Sequence, residues 1–223
     1  KRVWIEKANG GKRPLGIPTI RDRVGQMVCK MIIEPIFEAD FEESSYGFRP
    51  ERSSKDAMKA IKERLQEGKT EVLDADLSSY FDTIPHDKLL KVLQMRIADK
   101  RILYLIELWL KSPVSEDGQL SGGKKQKVGT PQGGVISPLL ANIYMHLVDK
   151  LVNNTENIFY KSGIEIVRYA DDFVLMGKAI TEKAMEKLRS ILTRMGLTLN
   201  EQKTRKIQAK ETSFNFLGFT IRY

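Results

Sequence analysis

The chain has 223 residues, 41% of them apolar, which allows one large domain or two small lobes around a proper core. No apolar run is long enough to cross a bilayer, so no membrane partner is expected. The amino end, Lys1-Arg2-Val3-Trp4, has neither an initiator Met nor a signal-peptide pattern, as in an internal or trimmed segment. The single cysteine, Cys29, lies in an apolar run, which excludes an internal disulfide or a cysteine zinc cluster and points to a core residue of an intracellular, cytoplasmic protein. The net charge of +8 is uneven. Residues 1–30 hold eight Lys/Arg against Glu6 and Asp22, whereas residues 31–43 hold five acids and no base. Such a basic block suits a polyanion lying across the protein, and a solvated face is the plain alternative.

In chain order, Lys1 to Thr19 reads as a basic hairpin turning at Gly10-Gly11. Arg21 to Phe41 reads as a helix with Val24, Met27, Val28, Met31, Ile32 and Ile36 on its apolar stripe, bent or divided by Pro35. A loop at Ser45 to Pro50 precedes a helix from Ser53 or Ser54 to about Glu67. A strand at Glu71 to Leu77 follows, then helices at Pro85 to Met95 and Lys100 to Lys111, the second burying Ile102, Leu105, Ile106, Trp109 and Leu110. Gln119 to Val128 has hairpin character around Gly122-Gly123. The loop Gly129 to Gly134 feeds an apolar helix through Leu139, Leu140, Ile143, Leu147 and Leu151. Two strands meeting at an acidic turn, a helix from Thr181 to Met195 closed by Gly196, and two or three terminal strands complete an α+β pattern with helices packed on an antiparallel sheet.

The acidic turn is Tyr169-Ala170-Asp171-Asp172, between Gly163 to Arg168 and Phe173 to Met176. Two-metal nucleotidyl transfer needs such carboxylates, to hold two cations about 3.5–4 Å apart, although Asp-Asp at a hairpin tip is also ordinary turn chemistry. A second acidic strand, 95 residues earlier, strengthens the first reading: alternation puts Val72, Asp74 and Asp76 on one face and Leu73, Ala75 and Leu77 on the other. Carboxylates on a buried face need a partner, and a metal fits.

Seven blocks, in order, carry a resemblance across nearly the whole chain: residues 10–23, 46–50 (Tyr-Gly-Phe-Arg-Pro), 76–84, 129–142, 169–172, 197–204 and 216–219 (Phe-Leu-Gly-Phe). The chain resembles the reverse transcriptases of bacterial group II introns. That resemblance implies the fingers and palm of a right-hand polymerase, with a ferredoxin-like antiparallel palm sheet packed on helices. Residues 1–70 are expected to be mainly fingers, 71–85 the palm strand with the first catalytic Asp, 86–128 helices and a basic hairpin between palm and fingers, and 129–223 palm. It also implies RNA-directed DNA polymerase activity with two Mg2+ ions, for which Mn2+ can substitute. The implied partners are RNA template, DNA primer, dNTPs and the cognate intron RNA, bound for splicing and retrohoming.

By the same resemblance, Asp76, Asp171 and Asp172 are the catalytic acids and metal ligands, joined by the carbonyl of Leu77, and the Leu-Ser-Ser-Tyr-Phe that follows Asp76 singles it out from Asp74. Phe81 matches the ring that excludes a ribose 2′-hydroxyl, with packing in the core as the alternative for it and more so for Tyr80. Gln132 matches a residue near the nucleotide; Lys12, Arg13, Arg21 and Lys203 are candidates for its phosphates. Arg49 and Arg52 either bind template or pair with the acidic 34–43 stretch. Tyr169, Ala170, Phe216, Leu217 and Gly218 match template- and primer-contacting positions. Asp82 reads as a cap or hydrogen-bond partner, and His86 and His146 as non-catalytic. Family members continue past Tyr223 into a helical thumb and begin before Lys1, so a thumb is expected to be absent and the fragment weakly active or inactive. Homodimerisation is left open. The alternatives are a non-catalytic RNA-binding maturase core and a reverse transcriptase of a related defence or diversity-generating system.

Overall fold

The computed structural model describes residues 2–6, 10, 12–116, 118–123 and 125–223, the side chains of Arg13 and Pro14 excepted. They form two compact units, Lys1–Asp40 with Ser79–Tyr144 and Phe41–Ser78 with Met145–Tyr223.

The first unit opens with the antiparallel hairpin β1 (Arg2–Glu6) and β2 (Lys12–Gly16). The expected turn glycine Gly11 lies outside the described residues. Helix α1 (Ile20–Glu38) starts where Thr19 Oγ1 accepts from Asp22 N at 3.1 Å. Pro35 sits in its last turn and does not divide it, because a missing N–H there leaves the earlier helical bonds in place. The expected stripe is corrected: Cys29, Ile33 and Phe37 are buried together with Gln26, while Val24 is 60% and Met31 67% exposed, and Met27, Val28 and Ile32 are exposed too. Two apolar stripes share this helix, and Gln26 selects the buried one, since its Oε1 accepts from Val135 N at 2.8 Å. Burial pushes the Cys29 thiol up to about 11, an inert core residue as expected.

The unit continues through α3 (Tyr80–Thr83), α4 (His86–Gln94) and α5 (Lys100–Leu110). On α5 the buried positions are Leu103, Ile106 and Leu110, with Leu105 exposed, so the inward face is rotated from the expected one. The next hairpin is also displaced: β4 (Val114–Glu116) pairs with β5 (Gln119–Ser121), and Gly122 and Gly123 follow β5 instead of forming its turn. Helix α6 (Ser137–Asn153) crosses from this unit into the second at Tyr144.

The second unit is built on an antiparallel sheet of order β6-β7-β3-β8, where β3 is Glu71–Ala75, β6 Glu165–Tyr169, β7 Asp172–Gly177 and β8 Arg205–Gln208. That is the strand order of a ferredoxin-like sheet. Helix α2 (Ser54–Gln66) places Ala57, Ala60, Ile61 and Leu65 in a core with Val72, Val167, Val174 and Met176. The hairpin β9 (Phe214–Phe216) and β10 (Phe219–Ile221) adds Phe214, Phe216 and Ile221 to it. Helix α8 (Glu182–Met195) runs from the Thr181 cap to Gly196, whose φ of 77° closes it as expected. A four-residue helix not foreseen in the sequence, α7 (Ile158–Lys161), precedes β6. The free edge of β6 is covered by the 44–46 segment: Arg168 N donates to Ser44 O at 2.9 Å and Tyr46 N to Arg168 O at 2.8 Å. No helix among the described residues is long and apolar enough to cross a membrane.

The two faces of these helices make opposite predictions for chemical denaturation. Ile61→Ala, in the filled core, should cost about 2–4 kcal/mol. Val24→Ala, on the exposed stripe, should change stability by less than about 0.5 kcal/mol. A large loss at Val24 would mean that the stripe is covered.

Candidate active site

The register of the sheet brings the acids together. Ala75 faces Phe173 and Asp74 faces Val174, so one further step along both strands sets Asp76 opposite Asp172. Alternation then puts Asp74, Asp76 and Asp172 on the face that carries Val72, Val174 and Met176 into the core. The same face is apolar where α2 covers it and acidic where it opens. There it forms a groove of about 810 Å³ lined by Asp74, Asp76, Asp172, Lys203, Arg205 and Lys206, with Phe216, Leu217 and Gly218.

Asp76 is fixed by its backbone. Asn200 N donates to the Asp76 carbonyl at 2.8 Å, Ser78 N donates to Thr198 O at 2.9 Å, and Leu77 bridges Leu199 between them. In this pairing Leu77 is the non-hydrogen-bonded member, which leaves its carbonyl outside the ladder. The turn that follows Asn200 delivers Lys203, whose Nζ lies 3.3 Å from Asp76 Oδ2. Arg205 stands opposite Asp74 in the β3–β8 register.

The carboxyl of Asp172 is pushed up from 3.8 to about 6, first by loss of hydration and then by the negative charges of Asp171, Asp76 and Asp74, while Lys203 pulls it down. Asp74 is raised by its burial and by Asp76, against Arg205. Among the described residues no three His, Cys, Asp or Glu side chains form a finished metal cage. Even so, the donors present are hard oxygens, Lys203 and Arg205 offset only part of their mutual repulsion, and Asp172 keeps an exposed edge on the groove. This set fits a divalent cation.

At the turn, Tyr169 pairs with Asp172 across the two-residue loop Ala170-Asp171. Ala170 is buried with φ of 59°, a left-handed conformation that costs a non-glycine residue about 1–2 kcal/mol. Tyr169 packs partly against the core cluster. The hairpin at 214–221 also turns through two positive φ values, 52° at Leu217 and 80° at Gly218, with Phe216 buried behind them. Three residues that escaped the sequence reading meet behind the acidic turn: Arg168, Asp149 and Ser45. Arg168 Nη2 lies 2.6 Å from Asp149 Oδ2 and donates to Ser45 Oγ at 2.6 Å. Their signal was present, because an arginine in the strand Ile166-Val167-Arg168 and an aspartate in the helix Leu147-Val148-Asp149 both break apolar patterns.

Arg49 is buried and donates to the carbonyls of Glu42 at 2.7 Å and Ser45 at 2.8 Å, and its guanidinium lies over the Phe41 ring. Arg52 donates to Glu43 O at 2.9 Å and lies over Tyr46. These are contacts of the structural kind that the sequence left open beside a template role. His146 packs edge-on to Phe41, and burial lowers its pKa.

The remaining candidates belong to the first unit. Tyr80 is buried and its hydroxyl donates to Ala141 O at 2.6 Å, while Phe81 meets Tyr80 edge to face at 5.5 Å. Phe81 O accepts from Thr130 N at 2.7 Å, which ties the short helix α3 to the Gly129 to Gly134 loop, and His86 Nε2 donates to Gly129 O at 2.7 Å. Gln132 O accepts from Gly16 N at 2.6 Å, and its side-chain Nε2 lies 3.3 Å from both oxygens of Asp82. Gly133, at φ of 101°, has no room for a Cβ against Gly16 O. Lys12 and Arg21 are exposed on β2 and at the start of α1; the side chain of Arg13 lies outside the described residues.

A strand order of this kind, with acids on adjacent strands at its open end, matches a polymerase palm in fold. The family model described as reverse transcriptase (RNA-dependent DNA polymerase) matches residues 5–221, and the chain belongs to that family. Protein YkfC of Escherichia coli K12 is 40% identical over 255 residues, covering 99% of this chain and 66% of that protein. The group II intron-encoded protein LtrA of Lactococcus lactis subsp. cremoris is 42% identical over 153 residues, 68% of this chain and 25% of its own length. The chain thus spans two thirds or less of these relatives. In fold, it is similar to telomerase from Candida albicans in a complex with a fragment of telomeric RNA, with a TM-score of 0.72 at 17% identity over 100% of this chain and 45% of that one. The expected fingers-and-palm fold class holds.

The raised carboxyl gives a prediction with a defined sign. An acid whose pKa rises on folding leaves stability highest below 3.8 and lowers it as pH climbs to about 6, where the penalty is complete. In the metal-free protein Asp172 should titrate near 6 by carboxyl NMR. Asp76→Asn should lower that midpoint. An unchanged midpoint would show that the two carboxylates do not share a field.

Proposed function

We propose that this chain is the polymerising domain of a group II intron-encoded protein, which extends a primer 3′-hydroxyl with deoxynucleotides on an RNA template and binds intron RNA in splicing and retrohoming. The observation that carries this reading is the set of like charges at the open end of β3 and β7, where Asp172 is pushed up to about 6. Asp76, Asp171, Asp172 and the Leu77 carbonyl would hold two divalent ions, Mg2+ or Mn2+, which supply charge neutralisation and activation of the attacking oxygen. The chain's own residues do the rest. The primer oxygen, its proton passing to water, bonds to the α-phosphorus as the bond to pyrophosphate breaks, and negative charge grows on the departing phosphates. Lys203 is the residue of this unit best suited to meet that charge, being anchored on the turn after Asn200 and 65% exposed beyond its contact with Asp76.

In the first unit we assign Phe81 to exclusion of a 2′-hydroxyl and Gln132 to nucleotide recognition, with Lys12, Arg13 and Arg21 as phosphate candidates. The main-chain bonds of Phe81 and Gln132 support this to the extent that they fix both residues at the loop; the Phe81 ring itself is buried and meets Tyr80 edge to face. Tyr169, Ala170 and the Phe216, Leu217 and Gly218 turn are assigned to template and primer, Arg52 to template. The surplus of six positive charges in residues 1–30 favours polyanion binding as a second property of the same chain.

Primer extension on an RNA template with Mg2+ tests the reading. Asp171→Asn should lower the rate at least about 1000-fold, while RNA affinity stays within about twofold and falls steeply with salt. Extension that survives in Asp171→Asn would contradict it. A protein that binds intron RNA tightly and extends nothing would point instead to an RNA-binding maturase core.

A further inference from the structure

The turn that carries Asp171 and Asp172 is held from behind by a buried arginine. Arg168 and Asp149 have no exposed side-chain surface, and they are joined by Nε to Oδ1 at 2.8 Å, Nε to Oδ2 at 3.0 Å and Nη2 to Oδ2 at 2.6 Å. The other guanidinium nitrogen, Nη1, donates to the carbonyl of Ala170 at 2.7 Å, and Nη2 also donates to Ser45 Oγ at 2.6 Å. One planar fork thus satisfies an acid on α6, a hydroxyl of the 44–47 segment and the peptide that joins Ala170 to Asp171.

That peptide follows the residue in the left-handed conformation. Left to itself, an alanine would relax out of that region, and the two carboxylates would turn with it. A second restraint acts from the opposite side of the same residue. Gly47 lies so close that a Cβ there would run into Ala170 N and come within 2.8 Å of the Tyr169 carbonyl carbon. The 44–47 segment is itself bonded to β6 through both backbone groups of Arg168. Hydrogen bond, steric wall and sheet pairing therefore converge on Ala170.

We infer that Arg168, held by Asp149 and Ser45, is a positioning residue that fixes the strained Ala170–Asp171 peptide and so sets the orientation of the acidic pair. Its consequence for metal binding rests on the function proposed above; its effect on the turn does not. A lysine keeps the charge beside Asp149 but has no fork, so it cannot reach Asp149, Ser45 and the Ala170 carbonyl at once. Ser45→Ala is the milder test, because it removes a single acceptor and leaves the ion pair.

Amide hydrogen exchange, Mn2+ binding followed by electron paramagnetic resonance, and thermal melting should be measured on Arg168→Lys and Ser45→Ala. Exchange at Asp171 to Phe173 should quicken about tenfold in Arg168→Lys and about threefold in Ser45→Ala, while exchange in α8 is unchanged. The Mn2+ dissociation constant should rise by similar factors. If Arg168→Lys fails to fold, Ser45→Ala decides alone. Uniform quickening across the sheet and α8 would reduce Arg168 to a general stabiliser, and unchanged exchange at the turn would overturn the inference. A parent protein that binds no Mn2+ and extends no primer would instead refute the polymerase reading, with the exchange result still deciding the role of Arg168.

Discussion

Like charges gather at one end of the sheet because antiparallel pairing leaves them no other place. Once Ala75 is opposite Phe173, Asp76 meets Asp172, and Asp74 lies two residues back on the same face. A slip of one residue would turn Asp74 and Asp76 to the other face and bring Leu73 and Ala75 into their place. Val72, Val174 and Met176 prevent the slip, since they are fully buried against α2 on that face. The apolar half of the strand thus stabilises an arrangement that its acidic half opposes. The opposition is visible in the raised carboxyl of Asp172.

Much of this was legible in the residues. The period-two pattern from Glu71 to Leu77 predicted which carboxylates share a face, and Thr181 and Gly196 marked the ends of α8. Helices with two candidate stripes were not decided by period alone. On α1 the buried face is the one that contains Gln26, and its selection depends on the backbone of Val135, a partner more than a hundred residues away. On α5 the apolar residues run nearly all around the helix, so the sequence had no preference to reveal. The hairpin at 114–121 was missed because Gly122-Gly123 is a strong local turn signal that the chain uses after the strand and not between the strands.

Within the site, the acids were visible and their support was not. The acidic turn at 171–172 and the acidic strand at 74–76 stand out in the sequence, and the resemblance alone singles out Asp76 from Asp74, whereas their surroundings, the main-chain bonds to Thr198 and Asn200 and the Arg168 bond to the Ala170 carbonyl, do not. Main-chain partners carry no residue signature. Arg168 and Asp149 do carry one, a charge inside an apolar pattern on two separate elements, and reading them as a pair would have pointed to the turn between β6 and β7. The proposed arrangement divides the labour: carboxylates that reach the groove for chemistry, and a buried ion pair for geometry.

The central claim is that Asp76, Asp171 and Asp172 together hold the cations of a nucleotidyl-transfer site. Anomalous scattering from crystals of the protein with Mn2+, primer–template and a non-reactive deoxynucleotide measures this directly. The account predicts two Mn2+ peaks about 3.5–4 Å apart, bounded by those carboxylates and the Leu77 carbonyl, with Lys203 released from Asp76. Bound nucleic acid with no Mn2+ at these residues, and with the Lys203–Asp76 contact intact, would contradict it.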